Sequence, residues 1–146
     1  MADARRILLA EDSANDAALA QAALRGTGLA GDIVVVRDGA QALDYLYRRG
    51  EFVNREPGLP AVVLLDLKMP KVDGLEVLRI IKGDPELRAL PVVILTSSRE
   101  EQDVVMSYSL GVNAYVVKPV DFQAFVEAVK MLGGFWAVVN EPPRIE

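Results

Sequence analysis

Five polar or charged residues stand at the ends of short hydrophobic runs, and their chemistry suits phosphoryl transfer. They are Glu11, Asp12, Asp66, Thr96 and Lys118. A carboxylate can act as a nucleophile toward phosphorus and form an aspartyl phosphate. A hydroxyl and an ammonium can stabilise the negative charge on the oxygens of the transferred group. We therefore expect Asp66 to be a phosphoacceptor, with Thr96 and Lys118 as donors to the phosphoryl group.

The three acids in this set also predict a metal site. Carboxylates that crowd together repel one another unless some are protonated or a cation neutralises them. Mg²⁺ prefers oxygen ligands and usually completes its shell with water and phosphate oxygens. The sequence therefore favours Mg²⁺ with Asp12 and Asp66 as direct ligands. The main-chain carbonyl of Lys68 is a third candidate ligand, and Glu11 is expected to bind through water.

Each of these residues alone also has an ordinary structural interpretation. Asp12 or Ser13 could merely cap a helix, and Lys118 could be a surface lysine. The joint pattern, at the ends of four buried runs, is what favours a functional site. Pro119 follows Lys118, and a cis bond between the two would turn the lysine toward the site, although X-Pro bonds are usually trans.

The hydrophobic runs themselves predict the strands of a parallel sheet. Each run is short, continuous and rich in β-branched residues, as strands buried on both faces are. The predicted strands are residues 7–10, 33–36, 61–65, 92–95 and 114–117. Two segments are longer than a minimal connection or helix would need, namely residues 48–60 and the tail 135–146.

The segments between the strands carry helix start and stop signals. Ser13 and Asp16 resemble a capping box, and Gly26 closes the helix that follows. The other predicted caps are Asp38, Ser98 with Glu101, and Asp121, and the third helix is predicted over residues 75–82. Alternating strands and helices predict an α/β fold, a doubly wound (βα)₅ sheet of flavodoxin-like strand order 2-1-3-4-5. Ligands of such sheets bind at the carboxyl ends of the strands, where the strand order reverses.

Composition narrows the class of protein. The 146 residues suit one domain with one core. Histidine and cysteine are both absent, which excludes a phosphohistidine within the chain, disulfides and thiolate metal sites. The net charge of −5, without a basic run, argues against nucleic-acid binding. Because no apolar run is long enough to span a bilayer and the N-terminus lacks a signal-peptide pattern, we expect a cytoplasmic protein with no membrane partner.

These residues and their context resemble the receiver domain of two-component response regulators, the group that includes the chemotaxis regulator. The matching stretches are ILLAED, VVLLDLKMPKVDGLEVL, VVILTSS and NAYVVKP, within residues 6–132. The resemblance implies that a sensor histidine kinase phosphorylates Asp66. It also implies that Glu11 and Asp12 bind the metal.

The same resemblance assigns roles to further residues. Thr96 matches the switch hydroxyl and Lys118 the signalling lysine. Tyr115 matches the switch aromatic, although it could equally be an ordinary strand residue. Gly74 matches a turn glycine after Pro70, where the lack of a Cβ would permit a positive φ.

More narrowly, the chain resembles the stand-alone regulators that partner bacteriophytochromes. The long segment 48–60, the phrase DPELRALPVVILTSS and the aromatic tail carry this resemblance. It implies a homodimer formed through helix 4, strand 5 and helix 5, with help from the C-terminal extension. We expect a receiver domain over residues 1–134 and an extension over 135–146, whose apolar residues either form an interface or fold back onto the core.

Other classes of function make different demands on the sequence. A phosphohydrolase of the haloacid-dehalogenase type requires a second acid two residues after the nucleophile, where this chain has Lys68. A flavodoxin-like cofactor binder requires a phosphate-binding loop after the first strand, where this chain has Glu11 and Asp12. A degenerate receiver, acting as a constitutive interaction module, would lack part of the five-residue set.

We therefore expect a regulatory protein that catalyses only its own phosphorylation and dephosphorylation. The sequence leaves three outputs open: relay to a downstream phosphotransfer protein, a phosphate sink, or direct binding of a target.

Overall fold

The computed structural model describes residues 6–27, 32–69, 71–97 and 114–118, together with Glu100, Asp103, Gln123 and Glu127. The strands are β1 Ile7–Ala10, β2 Ile33–Val36, β3 Val62–Asp66, β4 Val92–Thr96 and β5 Ala114–Val117. The helices are α1 Ala14–Thr27, α2 Gly39–Tyr47 and α3 Gly74–Gly83, and a 3₁₀ turn spans Gly50–Phe52. The predicted helix caps Ser98 and Asp121, Pro119 and the tail 135–146 lie outside the described residues.

The five strands form one parallel sheet in the order β2-β1-β3-β4-β5. This confirms the predicted doubly wound architecture. The order reverses beside β1, whose Ile7 lies opposite Ile33 of β2 on one side and Val62 of β3 on the other. The carboxyl ends of β1 and β3 therefore meet at the edge where the polar residues were expected.

Both faces of the sheet are covered by helices. On one face, Ile7 and Leu9 of β1 pack with Ala20 and Leu24 of α1. On the other face, Leu8 and Ala10 belong to a second cluster, whose helical members include Leu43, Leu46, Leu78 and Ile81. Successive strand residues point to opposite faces, and burial on both explains why the strands are continuously hydrophobic.

Two strands extend one residue further than predicted, and the extra residues are functional candidates. Asp66 is the last residue of β3 and pairs with Leu95, and Thr96 is the last residue of β4 and pairs with Val117. The ladder uses only main-chain groups, so a polar side chain does not end it. Both side chains are consequently fixed by the sheet.

Side-chain caps fix where the helices begin. Ser13 Oγ accepts a hydrogen bond from the Asp16 amide at 3.2 Å, and Asp38 accepts one from Gln41 at 2.7 Å. Asp73, which the sequence analysis did not single out, caps α3 by accepting from the Glu76 amide at 2.9 Å. Such caps satisfy amides that have no partner inside the helix. None of the helices in the described ranges is long and apolar enough to cross a membrane.

Candidate functional site

Glu11 directly follows β1 and leads from that strand into the site. Its amide donates to the Val36 carbonyl at 3.0 Å, which extends the β1–β2 pairing by one residue. The Glu11 side chain is fully buried. Its Oε2 accepts a hydrogen bond from the Ser13 amide at 3.1 Å, at the start of α1. The carboxylate is therefore held by both the strand and the helix that follows it.

Three carboxylates converge at the reversal point of the sheet. Oxygen atoms of Glu11, Asp12 and Asp66 all lie within 4.8 Å of one another. Glu11 and Asp66 are buried, whereas Asp12 is exposed. Asp12 thus faces solvent beside two carboxylates that water cannot screen well, which is an arrangement a hard divalent cation would stabilise.

Lys118 reaches this cluster from the end of β5. Its amide donates to the Thr96 carbonyl at 2.7 Å, which fixes the residue beside β4. Its Nζ lies 3.2 Å from Glu11 Oε1 and 3.3 Å from Asp66 Oδ2. A third contact, 3.0 Å to Asp16 Oδ2, joins the lysine to α1. The Lys118 side chain is only 14% exposed, so these are charge-assisted bonds in a largely dry site.

The pKa values of both Glu11 and Lys118 are raised in this environment, but for different reasons. Burial raises the pKa of Glu11 to about 7, against the opposing hydrogen bond from Ser13, and the Asp66 charge raises it further. Burial lowers the pKa of Lys118, but the Asp16 hydrogen bond and the charges of Asp66 and Glu11 outweigh it, so this pKa is raised overall. Near neutral pH the lysine is therefore charged, while the Glu11 carboxyl is partly protonated.

Thr96 contributes a buried hydroxyl to the site. The side chain is completely buried, and Oγ1 has no hydrogen-bond partner in the described part of the chain. A buried hydroxyl in this state costs free energy that a bound acceptor would recover. Thr96 adjoins Lys118 through the main-chain bond between β4 and β5, so its free donor lies at the same edge of the sheet.

Tyr115 and Lys68 flank the site. Tyr115 lies in β5, is half-buried and packs against the cluster beneath α2 and α3. Burial raises the pKa of its hydroxyl. Lys68 follows β3 by two residues and its side chain is exposed.

Gly74 is required for a different reason from the one expected. Positive φ angles among the described glycines occur at Gly50 and Gly58, so the expected positive φ of Gly74 is wrong. Gly74 instead begins α3 in close contact with β3. A Cβ here would overlap the Asp66 carbonyl oxygen and lie 2.7 Å from the Leu67 α-carbon. The left-handed residue of this loop is Lys71, with φ of 68°.

The role of Asp16 at the site was not predicted from the sequence. Asp16 was expected only as part of a capping box, yet its carboxylate makes the shortest of the three contacts to Lys118. One signal could have found it. Asp16 lies in the first turn of α1, and the start of that helix must lie at the same sheet edge as the end of β1.

The structure thus brings Glu11, Asp12, Asp66 and Lys118 together, with Thr96 beside them. Three carboxylates supply the hard oxygen donors that Mg²⁺ or Mn²⁺ prefers. The same site also holds the largely buried Lys118 ammonium and the buried Thr96 hydroxyl, which are the kinds of donor that an anionic group requires. This chemistry fits the binding of a divalent cation and the transfer of a phosphoryl group to a carboxylate.

Comparison with known proteins agrees with this arrangement. The family model described as "Response regulator receiver domain" matches residues 7–130. The response regulator Rcp1 of Synechocystis sp. is 41% identical over 130 residues, covering 89% of this chain and 87% of that protein. The solved structure of its Mn²⁺-bound form superposes with a TM-score of 0.71 at 39% identity, over 97% of this chain and 99% of that one.

Two bacteriophytochrome response regulators are still more similar. RtBRR is 60% identical, with a TM-score of 0.89 over 98% of this chain and 85% of that one. AtBRR is also 60% identical, with a TM-score of 0.87 over 94% of this chain and 98% of that one. The chain therefore belongs to the response regulator receiver domain family and is a phosphoacceptor protein of two-component signalling.

Proposed function

We propose that Asp66 is the phosphoacceptor and that a histidine kinase, in particular a bacteriophytochrome, is the donor. The observation that carries this assignment is the buried Asp66 carboxylate with the Lys118 ammonium 3.3 Å away. Asp66 is the buried strand-end aspartate at the reversal point of the sheet. The similarity to RtBRR and AtBRR supports the class of kinase.

In the proposed reaction an Asp66 oxygen attacks the phosphorus of a phosphohistidine on the kinase. The O–P bond forms as the P–N bond breaks, and the electron pair of that bond returns to the imidazole nitrogen. The Lys118 ammonium and the Thr96 hydroxyl then donate hydrogen bonds to phosphoryl oxygens. Both donors are held in place by the sheet before the phosphoryl group arrives, so little reorganisation is needed.

Mg²⁺ is the proposed cofactor, with Asp12, Asp66 and the Lys68 carbonyl as direct ligands and Glu11 bound through water. When bound, it supplies positive charge that offsets repulsion between the carboxylates and the phosphoryl group. The Mn²⁺-bound form of Rcp1 supports a divalent cation, and the convergence of the three acids supports this place for it.

The proposed consequence of phosphorylation is a change in a binding surface. When Thr96 turns to the phosphoryl group, we propose that Tyr115, now half-buried in β5, moves inward and reshapes the surface around β5. The downstream partner is then a target protein or a phosphotransfer protein. The family is regulatory, and the proposed turnover is limited to the protein's own phosphorylation and dephosphorylation in the cytoplasm.

Intact-mass measurement tests the central assignment. With acetyl phosphate and Mg²⁺, the wild type should gain the mass of one phosphoryl group and Asp66→Asn should gain none. Asp32→Asn is the matched control, because it makes the same change at an exposed carboxylate before β2. No gain by the wild type, or equal gain by Asp66→Asn, would contradict the assignment.

A homodimer is the proposed assembly, with residues 1–134 as the receiver domain and 135–146 as an interface segment. The supporting feature in the described residues is β5, an edge strand on which Val117 is 37% exposed. Exposed edges and apolar side chains favour association. Light scattering should give a dimer mass for the full chain and a monomer mass after removal of residues 135–146. An unchanged mass would exclude an interface that depends on the tail.

A further inference from the structure

Among the described residues, Asp16 is the one acid that contacts Lys118 and lies outside the cluster of three carboxylates. Lys118 Nζ lies 3.0 Å from Asp16 Oδ2, against 3.2 Å from Glu11 and 3.3 Å from Asp66. Glu11 and Asp66 share their close approach with Asp12, and in the described ranges Asp16 is not a member of that group. Asp16 therefore binds the lysine without being a candidate ligand of the cation.

The hydrogen-bonding capacity of the ammonium is fully used. A lysine ammonium has three N–H donors and no acceptor. Glu11, Asp16 and Asp66 each take one of these donors. A phosphoryl oxygen can therefore gain a hydrogen bond from Lys118 only if one carboxylate gives its donor up. The N–H group that faces Asp66 is the closest of the three to the phosphoryl group, since that group is attached to Asp66.

Asp16 is well placed to remain bound while the other contacts change. Its amide donates to Ser13 Oγ at 3.2 Å, and the Ser13 amide donates to Glu11 Oε2 at 3.1 Å. This pair of bonds fixes the first turn of α1 against the end of β1. A short aspartate side chain on a fixed helical turn has few positions for its carboxylate. Its distance from Lys118 is thus set by the fold.

We propose that Asp16 is a positioning residue that keeps the Lys118 ammonium at the site throughout the phosphorylation cycle. The donor facing Asp66 turns to the phosphoryl group, while the bond to Asp16 persists. This inference rests on the proposed role of Asp66 as phosphoacceptor. Without Asp16, the contacts that remain for the flexible lysine side chain among the described residues are those to Glu11 and Asp66, and both of these also bind the cation in the proposed mechanism.

Beryllofluoride, a phosphoryl mimic, gives the functional measurement. Its affinity in the presence of Mg²⁺ should fall roughly fivefold in Asp16→Ala, the upper effect of a partly exposed ion pair. Asp16→Asn keeps an acceptor oxygen but loses the charge, so its affinity should lie between those of Asp16→Ala and the wild type. Asp32→Asn removes the same charge at the opposite edge of the sheet and should match the wild type.

The ammonium signal of Lys118 in ¹⁵N–¹H NMR gives a second measurement, made on unphosphorylated protein without cation. Three ion pairs should slow proton exchange enough for the signal to be visible at neutral pH, and Asp16→Ala should broaden it. Thermal unfolding checks that the variants fold, and Asp16→Asn keeps the test informative if Asp16→Ala does not.

The outcomes distinguish failure of the proposed role of Asp16 from failure of the assignment of Asp66 as phosphoacceptor. Equal beryllofluoride affinity in the wild type and Asp16→Ala overturns the role of Asp16. Tighter binding by Asp16→Ala also overturns it, because Asp16 would then compete for the lysine. If the wild type fails to bind beryllofluoride, the phosphoacceptor assignment fails. In that case the ammonium signal still decides whether Asp16 holds Lys118.

Discussion

Gly74 packs directly on the main chain of Asp66, so that a Cβ at position 74 would overlap the Asp66 carbonyl oxygen. The Gly74 amide donates to the Leu67 carbonyl at 2.8 Å, which holds the start of α3 close to the end of β3. The geometry of Asp66, the proposed phosphoacceptor, thus depends on a residue that has no side chain. Any substituent here must displace the strand end, the helix or both.

Gly74→Ala should therefore lower both stability and phosphorylation. We expect a loss of roughly 1–3 kcal/mol in the free energy of unfolding, the usual cost of inserting a methyl group into a packed site. The initial rate of phosphorylation by acetyl phosphate should fall as well. Gly83→Ala is the matched control, because nothing lies within 4 Å of its Cβ position. That variant should be unchanged or more stable by up to about 1 kcal/mol.

Chemical denaturation and intact-mass kinetics measure these two effects. Similar behaviour of Gly74→Ala and Gly83→Ala would show that the contact with Asp66 does not constrain the site.

Thr96→Val should weaken binding of a phosphoryl mimic without lowering the stability of the fold. Valine has nearly the shape of threonine, and the Thr96 hydroxyl is buried without a partner in the described part of the chain. Removing that hydroxyl should leave the unphosphorylated protein as stable as the wild type or up to about 1 kcal/mol more stable. Beryllofluoride binding should nevertheless weaken, because a donor to the phosphoryl group is lost. Thr96→Ser keeps the hydroxyl and should retain binding.

Calorimetric unfolding and beryllofluoride titration, run on the same samples, test this prediction. A Thr96→Val protein that is clearly less stable than the wild type would mean that the hydroxyl already has a partner.

Glu11 should make stability depend on pH in the absence of a divalent cation. The pKa of its carboxyl is raised from 4.5 to about 7 in the folded protein, so the folded state binds this proton more tightly than the unfolded chain. The stabilisation is complete below about pH 4.5 and is lost as the pH rises through about 7. The loss should be on the order of 1–3 kcal/mol.

Denaturation of the wild type and Glu11→Gln between pH 5 and pH 8.5 measures this dependence. Glu11→Gln cannot ionise at this position, so its stability should change less with pH. Mg²⁺ should also flatten the wild-type curve, since a bound cation favours the ionised carboxylate. Parallel curves for both proteins would contradict the raised pKa.

Asp12→Asn should remove most of the affinity for Mg²⁺. Asp12 is the exposed member of the three carboxylates, and as a direct ligand it should contribute more than the roughly tenfold typical of outer-shell partners. Glu11→Gln should have the smaller effect of a water-mediated ligand, and Asp32→Asn should have none. Isothermal titration gives the affinities, and the rise of unfolding temperature with Mg²⁺ gives an independent measure. Equal affinities for Asp12→Asn and the wild type would exclude Asp12 as a ligand.

Most of the sheet and much of the site follow from local sequence patterns. Continuous runs rich in β-branched residues identified all five strands. The acids and Lys118 were identified because they directly follow these runs. The ends of β3 and β4 differed by one residue, because main-chain pairing extends through Asp66 and Thr96 whatever their side chains are.

The features that the sequence did not predict depend on contacts between distant segments. The contact between Asp16 and Lys118 joins residues 102 positions apart, and no local pattern specifies such a pair. The reason for Gly74 is also tertiary, because a positive φ is a local property whereas the space beside Asp66 is created by packing of α3. Local rules therefore identified most of the candidate site residues, did not reveal the role of Asp16, and gave the wrong reason for Gly74.

The site is completed late in synthesis, because Lys118 follows Glu11 and Asp66 by many residues in the chain. Glu11 is made early, yet its partner Lys118 lies 107 residues later, directly after the edge strand β5. A nascent or C-terminally truncated chain therefore presents Asp66 without the ammonium that completes its surroundings. In the proposed mechanism, the site that receives the phosphoryl group is therefore complete only when β5 has docked beside β4.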